Sequence, residues 1–278
     1  MQQARLFKLL GALLCCAGPA VAQTGELTDP SVLKVCADPN NLPFSNRAGE
    51  GFENRLVRLL ARQLHTDVQY VWWAQRRGFA RHTLTSQGCD LWAGVASGTK
   101  GLRASQPYYR SSYVFVTRRA RALAHLSLDD PRLRTLIIGV QLVGYEAMNT
   151  PPAQALAARG ITGNVRGFSI FGDYSAPNPP ARIIAAVVSG EVDVALVWGP
   201  VAGYFARRSS VPLRLEWIPE VEDWPMAYDI ALGVRRDEDD LRARLDAALA
   251  TEQPQIEGLL REYAIPHAHP GIAGAAAR

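Results

Sequence analysis

The sequence predicts an α/β fold in two lobes, with the backbone passing between them twice. Three observations predict it. Short apolar runs alternate with amphipathic stretches from Leu33 to Leu91, and a second series of the same kind starts at Leu136. Two changes of composition, Arg118-Arg119-Ala120-Arg121 and Asp223-Trp224-Pro225-Met226-Ala227-Tyr228, flank the second series and mark candidate crossings. Two closing helical stretches, near Asp239 to Ala250 and Gln253 to Tyr263, then pack back on the first lobe. Lobe 1 is thus expected over 31–117 plus 229–266 and lobe 2 over 118–228, with 267–278 a flexible tail. The binding place of such an architecture is the cleft between the lobes, and hinge closure is its usual motion.

Composition narrows the function classes. The 278 residues are 48% hydrophobic and 20% charged, ordinary material for one large or two medium domains. Arg5 and Lys8 precede the apolar run Leu9 to Val21, which ends in the small-x-small triplet Ala20-Val21-Ala22, the pattern of a secretory signal peptide over 1–22. The run is shorter than the ~20 residues a membrane span needs, and no other segment is apolar enough to be one. Without Arg5 and Lys8, 28 basic residues face 26 acidic ones, a balance of +2. That excess is too small to point to nucleic acid.

Cys15 and Cys16 fall in the leader, so the mature chain keeps Cys36 and Cys89. In an oxidising compartment one disulfide between them is expected. It is feasible if their strands are neighbours about 4.8 Å apart. No histidines cluster near them to favour a metal site or a catalytic thiol.

The first strand, Leu33 to Asp38, runs into Pro39-Asn40-Asn41-Leu42-Pro43-Phe44, whose prolines and asparagines impose an irregular turn. Phe52, Leu56, Leu59, Leu60 and Leu64 recur at helical spacing, with Arg55, Arg58 and Arg62 on a solvated face. The strand Asp67 to Trp73 leads to Ala74-Gln75-Arg76-Arg77-Gly78-Phe79. Here two readings stand: Trp72 and Trp73 face a site with Gln75 and Arg76, or one ring is core and the other caps it. Val114 to Thr117 is a strand, preceded by Tyr108 and Tyr109.

In the second series, strand Leu136 to Val140 enters a turn holding Gln141 and Tyr145. Pro151 and Pro152 interrupt the helix that follows, and Gly160 ends it. A loop around Asp173 precedes the helix Ala181 to Ser189. Val192 to Trp198 is an apolar run expected of a strand covered on both faces. Trp198 either closes the second lobe's core or stands at the cleft mouth. Strands Leu213 to Ile218 and Asp229 to Val234 follow, with Tyr228 at the return crossing.

Gly51-Phe52-Glu53, Ser105-Gln106-Pro107-Tyr108-Tyr109 and Ser189-Gly190-Glu191-Val192-Asp193-Val194, in this order, resemble the type 2 periplasmic solute-binding proteins of family 3 over Ser31 to Pro266. A narrower resemblance is carried by Val35-Cys36-Ala37-Asp38-Pro39-Asn40-Asn41-Leu42-Pro43-Phe44, Trp72-Trp73-Ala74-Gln75-Arg76-Arg77-Gly78-Phe79, Pro107 to Thr117 and Val197-Trp198-Gly199-Pro200. These look like the MoxJ/XoxJ proteins associated with quinoprotein dehydrogenases. The resemblance implies a non-catalytic periplasmic partner of a methanol dehydrogenase that depends on pyrroloquinoline quinone, lanthanide-dependent forms included, and of its c-type cytochrome system. It implies no cofactor in the chain itself. Amino-acid binders of the wider family carry an arginine about nine residues before the Pro-Tyr pair, where this chain has Gly98, with Lys100 and Arg103 out of register.

The expected cleft residues are Asp38, Asn40, Phe44, Trp72, Trp73, Gln75, Arg76, Tyr108, Tyr109, Gln141, Tyr145, Asp173, Trp198 and Tyr228. Asp38 has a competing role, bonding the amides of its own turn. Gln141 and Tyr145 stand at a helix start that can take anions on backbone N–H groups, without the Gly-Thr pair common in amino-acid binders. Three function classes follow: a dehydrogenase accessory factor, an ABC-importer receptor for a small solute other than a standard amino acid, and an enzyme on the same scaffold. The third has least support. His65, His82, His125, His267 and His269 show no metal-ligand spacing beyond His267-x-His269, and no Gly-x-Ser-x-Gly elbow occurs.

Overall fold

Two strands belong to both halves of the molecule, and the topology follows from them. The computed structural model describes residues 31–76, 78–143, 148–169 and 174–267. Residues 1–22, expected to be a signal segment, lie outside these residues, as do Tyr145 and Asp173. In chain order the first half contains β1 (Val32–Ala37), β2 (Asn40–Asn41), β3 (Ser45–Asn46), α1 (Phe52–Leu64), β4 (Asp67–Trp72), α2 (Phe79–His82), β5 (Leu91–Ala96) and β6 (Arg103–Ala104). The long strand β7 (Tyr109–Arg118) leads out of it. The second half holds β8 (Ile138–Val143), β9 (Met148–Asn149), α3 (Pro151–Ala158), β10 (Val165–Ser169), α4 (Arg182–Ser189), β11 (Val194–Trp198), α5 (Gly199–Arg207) and β12 (Leu213–Trp217). β13 (Ala227–Val234) returns, and α6 (Asp239–Glu262) closes the fold.

The sheet path is β10-β8-β11-β7-β13-β5-β1-β4. β7 pairs antiparallel with β13 through Tyr109 to Ser112, then with β11 and β12 from Tyr113 onward. β13 does the converse, pairing β7 through Ala227 to Ile230 and β5 beyond. The change of partners falls at Ser112–Tyr113, upstream of the arginine-rich segment 118–121. Apolar side chains sort accordingly. Leu33, Phe52, Leu56, Leu91, Leu232 and Leu260 share one core. Phe115, Leu133, Ile138 and Leu156 lie on one face of the β8–β11–β7 sheet, and Val116, Ile183, Val187 and Val197 on the other. Coverage of both faces explains why β11 is apolar at nearly every position.

The helix α1 is what the sequence spacing predicts. Phe52, Leu56, Val57 and Leu60 are fully buried, and burying each such side chain stabilises the fold by roughly 1.5–3 kcal/mol before entropy. Asn54 Oδ1 accepts the N–H groups of Gly51 (3.1 Å) and Asn46 (3.0 Å), tying the first turn to the preceding loop. Cys36 and Cys89 are bonded, with Cα atoms 5.6 Å apart. The closing segment differs from expectation, for α6 is one helix with Pro254 inside it. Leu245, Leu249, Ile256 and Leu260 form an apolar side that runs past the proline, and this packing outweighs the lost backbone hydrogen bond.

A Cβ on Gly51 would lie 2.0 Å from the Phe44 carbonyl oxygen. Gly51→Ala is therefore expected to lower stability by about 1–3 kcal/mol, read as a reduced urea midpoint at unchanged m-value.

Candidate functional site

A cleft of about 430 Å³ lies where the two halves meet. Asn41, Phe44, Glu53, Gln75, Phe79, Trp92 and Gly94 line it from the first half, and Gln141, Thr150, Pro180, Trp198 and Val201 from the second. Between them stand Tyr109, Tyr113, Tyr228 and Ile230 of the crossing strands. Side chains alternate along a strand, so Tyr109 and Tyr113 share a face of β7, and their register brings Ile230 beside Tyr109. Trp198 meets Tyr113 and Tyr228 edge to face, at 5.2 and 6.0 Å between centroids.

The polar groups in this apolar setting are few. Gln141 is buried; its Oε1 accepts the Trp198 N–H at 2.7 Å and its carbonyl accepts the Thr150 hydroxyl at 3.0 Å. Its Nε2 has no hydrogen-bond partner among the described residues. Asn41 Nδ2 donates to Gln75 Oε1 at 3.0 Å. Glu53, in the first turn of α1, is only 8% exposed, and its carboxyl has no salt bridge or hydrogen bond among the described residues. Burial alone pushes it up to about 8. Its titratable neighbours are the phenols of Tyr70, Tyr108 and Tyr109, themselves raised chiefly by burial. Gly94 leaves the carboxyl its space, because a Cβ there would sit 2.2 Å from Glu53 Oε1.

The sequence-predicted residues divide into three groups. Phe44, Gln75, Arg76, Tyr109, Gln141, Trp198 and Tyr228 line the cleft. Trp72, Trp73 and Asn40 line an outer recess of about 740 Å³ instead, with Arg47, Arg76, Tyr174 and Ala176. Trp72 and Trp73 sit on and just beyond β4, the edge strand next to β1 and the far end of the sheet path from the crossing strands, and line the outer recess there. Asn40 bridges the halves there, donating from Nδ2 to the Ala176 carbonyl (2.9 Å) and accepting the Asn178 N–H (3.0 Å). Asp38 and Tyr108 line neither space. Asp38 accepts the N–H groups of Gln75 (2.7 Å) and Asn40 (2.8 Å) and holds the turn. The Tyr108 hydroxyl donates to the Ala93 carbonyl inside the first core. Glu53, Trp92 and Tyr113 were not among the expected residues. Alternation along β7 signals Tyr113, whereas an acidic first-turn residue reads from sequence as a dipole partner.

No family model matches the chain. Protein MoxJ of Methylorubrum extorquens is 31% identical over 276 residues, covering 92% of this chain and 91% of that protein. The chain belongs to the MoxJ family. The crystal structure of the periplasmic binding protein XoxJ from Methylobacterium extorquens AM1 superposes with a TM-score of 0.70 at 35% identity, over 85% of this chain and 99% of that one. MxaJ from Methlophaga aminisulfidivorans MPT gives 0.72 at 25% identity, over 85% and 100%. The MoxJ-family chain thus has the two-lobed periplasmic binding fold. Among its described residues no helix is long and apolar enough to cross a membrane, and no group of three His, Cys, Asp or Glu could hold a metal ion.

The Glu53 carboxyl fixes a pH dependence. Unfolded, it titrates near 4.5; folded, near 8. Between these values the folded chain keeps a proton the unfolded chain has lost, so stability falls as pH rises from about 4.5 to about 8. Glu53→Gln should flatten that slope and raise stability at pH 9 relative to wild type, by at most about 5 kcal/mol. Denaturant titrations at pH 5, 7 and 9 measure it.

Proposed function

We infer that this protein is a non-catalytic periplasmic accessory factor that binds a methanol dehydrogenase dependent on pyrroloquinoline quinone and assists its maturation or activation. Kinship with MoxJ and XoxJ supports the reading. The observation that carries it is the outer recess. Trp73 is 42% exposed and Tyr174 53%, one from each half of the chain. Arg47 lies over the Trp72 ring at 5.7 Å, and exposed Arg76 adjoins. Exposed tryptophan, tyrosine and arginine in one concavity are the composition of protein-binding hot spots.

The amino-acid receptor function has little support. Gly98 is exposed, with nothing within 4 Å of where its Cβ would be. Arg103 is engaged with Asp239 at 2.9 Å on the outside of the fold. A second reading, an importer receptor for another small solute, is favoured by the cleft itself.

Purified dehydrogenase titrated onto the immobilised protein should bind with a Kd in the micromolar range or below, and Trp73→Ala should weaken it about tenfold or more, a loss of about 1.4 kcal/mol. Absence of binding at tens of micromolar contradicts the reading.

A further inference from the structure

Two polar groups without partners among the described residues lie at the cleft, one on its lining and one enclosed behind the opposite wall. From the first half the Glu53 carboxyl opens over Gly94. From the second, Gln141 Nε2 is buried and partnerless among the described residues. The orientation of that amide is fixed: its oxygen is committed to the Trp198 N–H at 2.7 Å, and a flip would set two donors against each other. A buried polar group left unsatisfied costs about 1–3 kcal/mol. The Glu53 carboxyl, on the cleft lining, is the group an occupant can reach; Gln141 Nε2 is enclosed behind the opposite wall.

The surroundings specify that occupant. A buried carboxyl with no basic neighbour among the described residues calls for a cation. The rings of Trp92, Tyr109, Tyr113 and Trp198 line the same cleft, and aromatic rings attract alkylammonium groups. An anion would meet the carboxyl and the negative ring faces, and Arg76, the basic side chain on the lining, is exposed where the cleft adjoins the outer recess. A purely apolar segment would leave the carboxyl unpaired.

We propose that the cleft binds a small organic cation, a methylated ammonium, using Glu53 as counter-ion and the aromatic rings as cage. The site adjoins the Trp73–Tyr174 recess, with Arg76 on both linings, but does not depend on the dehydrogenase partnership. Because burial holds Glu53 protonated to about pH 8, the incoming cation displaces a proton to solvent. The groups facing Glu53, the phenols of Tyr70 on β4 and of Tyr108 and Tyr109 at the start of β7, have raised values and stay neutral over this range.

Choline is the probe, and 3,3-dimethyl-1-butanol, of the same shape without the charge, is the control. Calorimetric titration of the full mature chain should show choline binding at least tenfold tighter than the alcohol at about pH 8.5. Choline affinity should rise by up to about tenfold per pH unit below the Glu53 midpoint, with uptake of the released proton visible as a dependence on buffer ionisation enthalpy. Glu53→Gln should bind the two compounds alike. Equal binding of both by wild type, choline affinity that does not change with pH, or no choline binding up to about 10 mM would each overturn the proposal. The pH series and the control compound use wild type, so they decide the matter even if Glu53→Gln does not fold.

Discussion

The antiparallel pairing of Tyr109–Ser112 with Ala227–Ile230 is the constraint on which the rest of the structure depends. Both strands continue into other sheets on either side of this short ladder. Their common register therefore fixes how the two halves face each other. Arg110 and Asp229 are direct partners in it and form an ion pair at 3.2 Å. Strand alternation puts that pair on one face and Tyr109, Tyr113, Tyr228 and Ile230 on the other. The cleft wall is thus the aromatic face of the crossing itself, which is why a change in that ladder would be felt by both lobes at once.

Around this seam the molecule concentrates groups that ordinary folding would avoid. A carboxyl enclosed beside the phenols of Tyr70, Tyr108 and Tyr109 loses its hydration without a counter-charge among the described residues, and the proton it keeps to about pH 8 is the consequence. Gly94 and Gly51 make this possible by different means. Gly51 lets α1 start hard against the Phe44 backbone, and Gly94 leaves an open place above β5 for the carboxyl. Perturbed acids in clefts mark functional sites more often than structural ones. Here the perturbation coincides with a partnerless amide from the opposite lobe. The outer recess is a different kind of surface, with exposed rings beside arginines and an Asn40 bridge across its floor. One cleft for a small molecule and one recess for a protein can serve a single chain, with Arg76 on both linings.

Much of the fold was legible because its signals are local. The spacing of Phe52, Leu56 and Leu60 fixes α1, and the unbroken apolar run before Trp198 announces a strand covered on both faces. The closing helix misled because Pro254 is a strong local breaker, while the long apolar side that overrides it depends on tertiary contact. The site was legible in part. Residue type alone marks Trp72, Trp73 and Tyr108 as readily as Trp92 and Tyr113, but strand phase separates them. A strand taken from Tyr109 rather than Val114 turns Tyr109 and Tyr113 to one face and leaves Tyr108 outside the ladder. That Trp72 ends on an edge strand, and that Glu53 lies over a glycine forty-one residues away in sequence, are facts of sheet order, which no local pattern carries.

The central claim is that a partnerless, solvent-deprived carboxyl forms the floor of a cleft closed by two crossing strands. The ¹³C chemical shift of the Glu53 side-chain carboxyl, followed through a pH titration of the folded protein, tests it most directly. The account predicts a midpoint near 8, with Trp92 and Tyr109 ring resonances shifting in the same step. A midpoint near 4.5, the value of a hydrated glutamate, would contradict it.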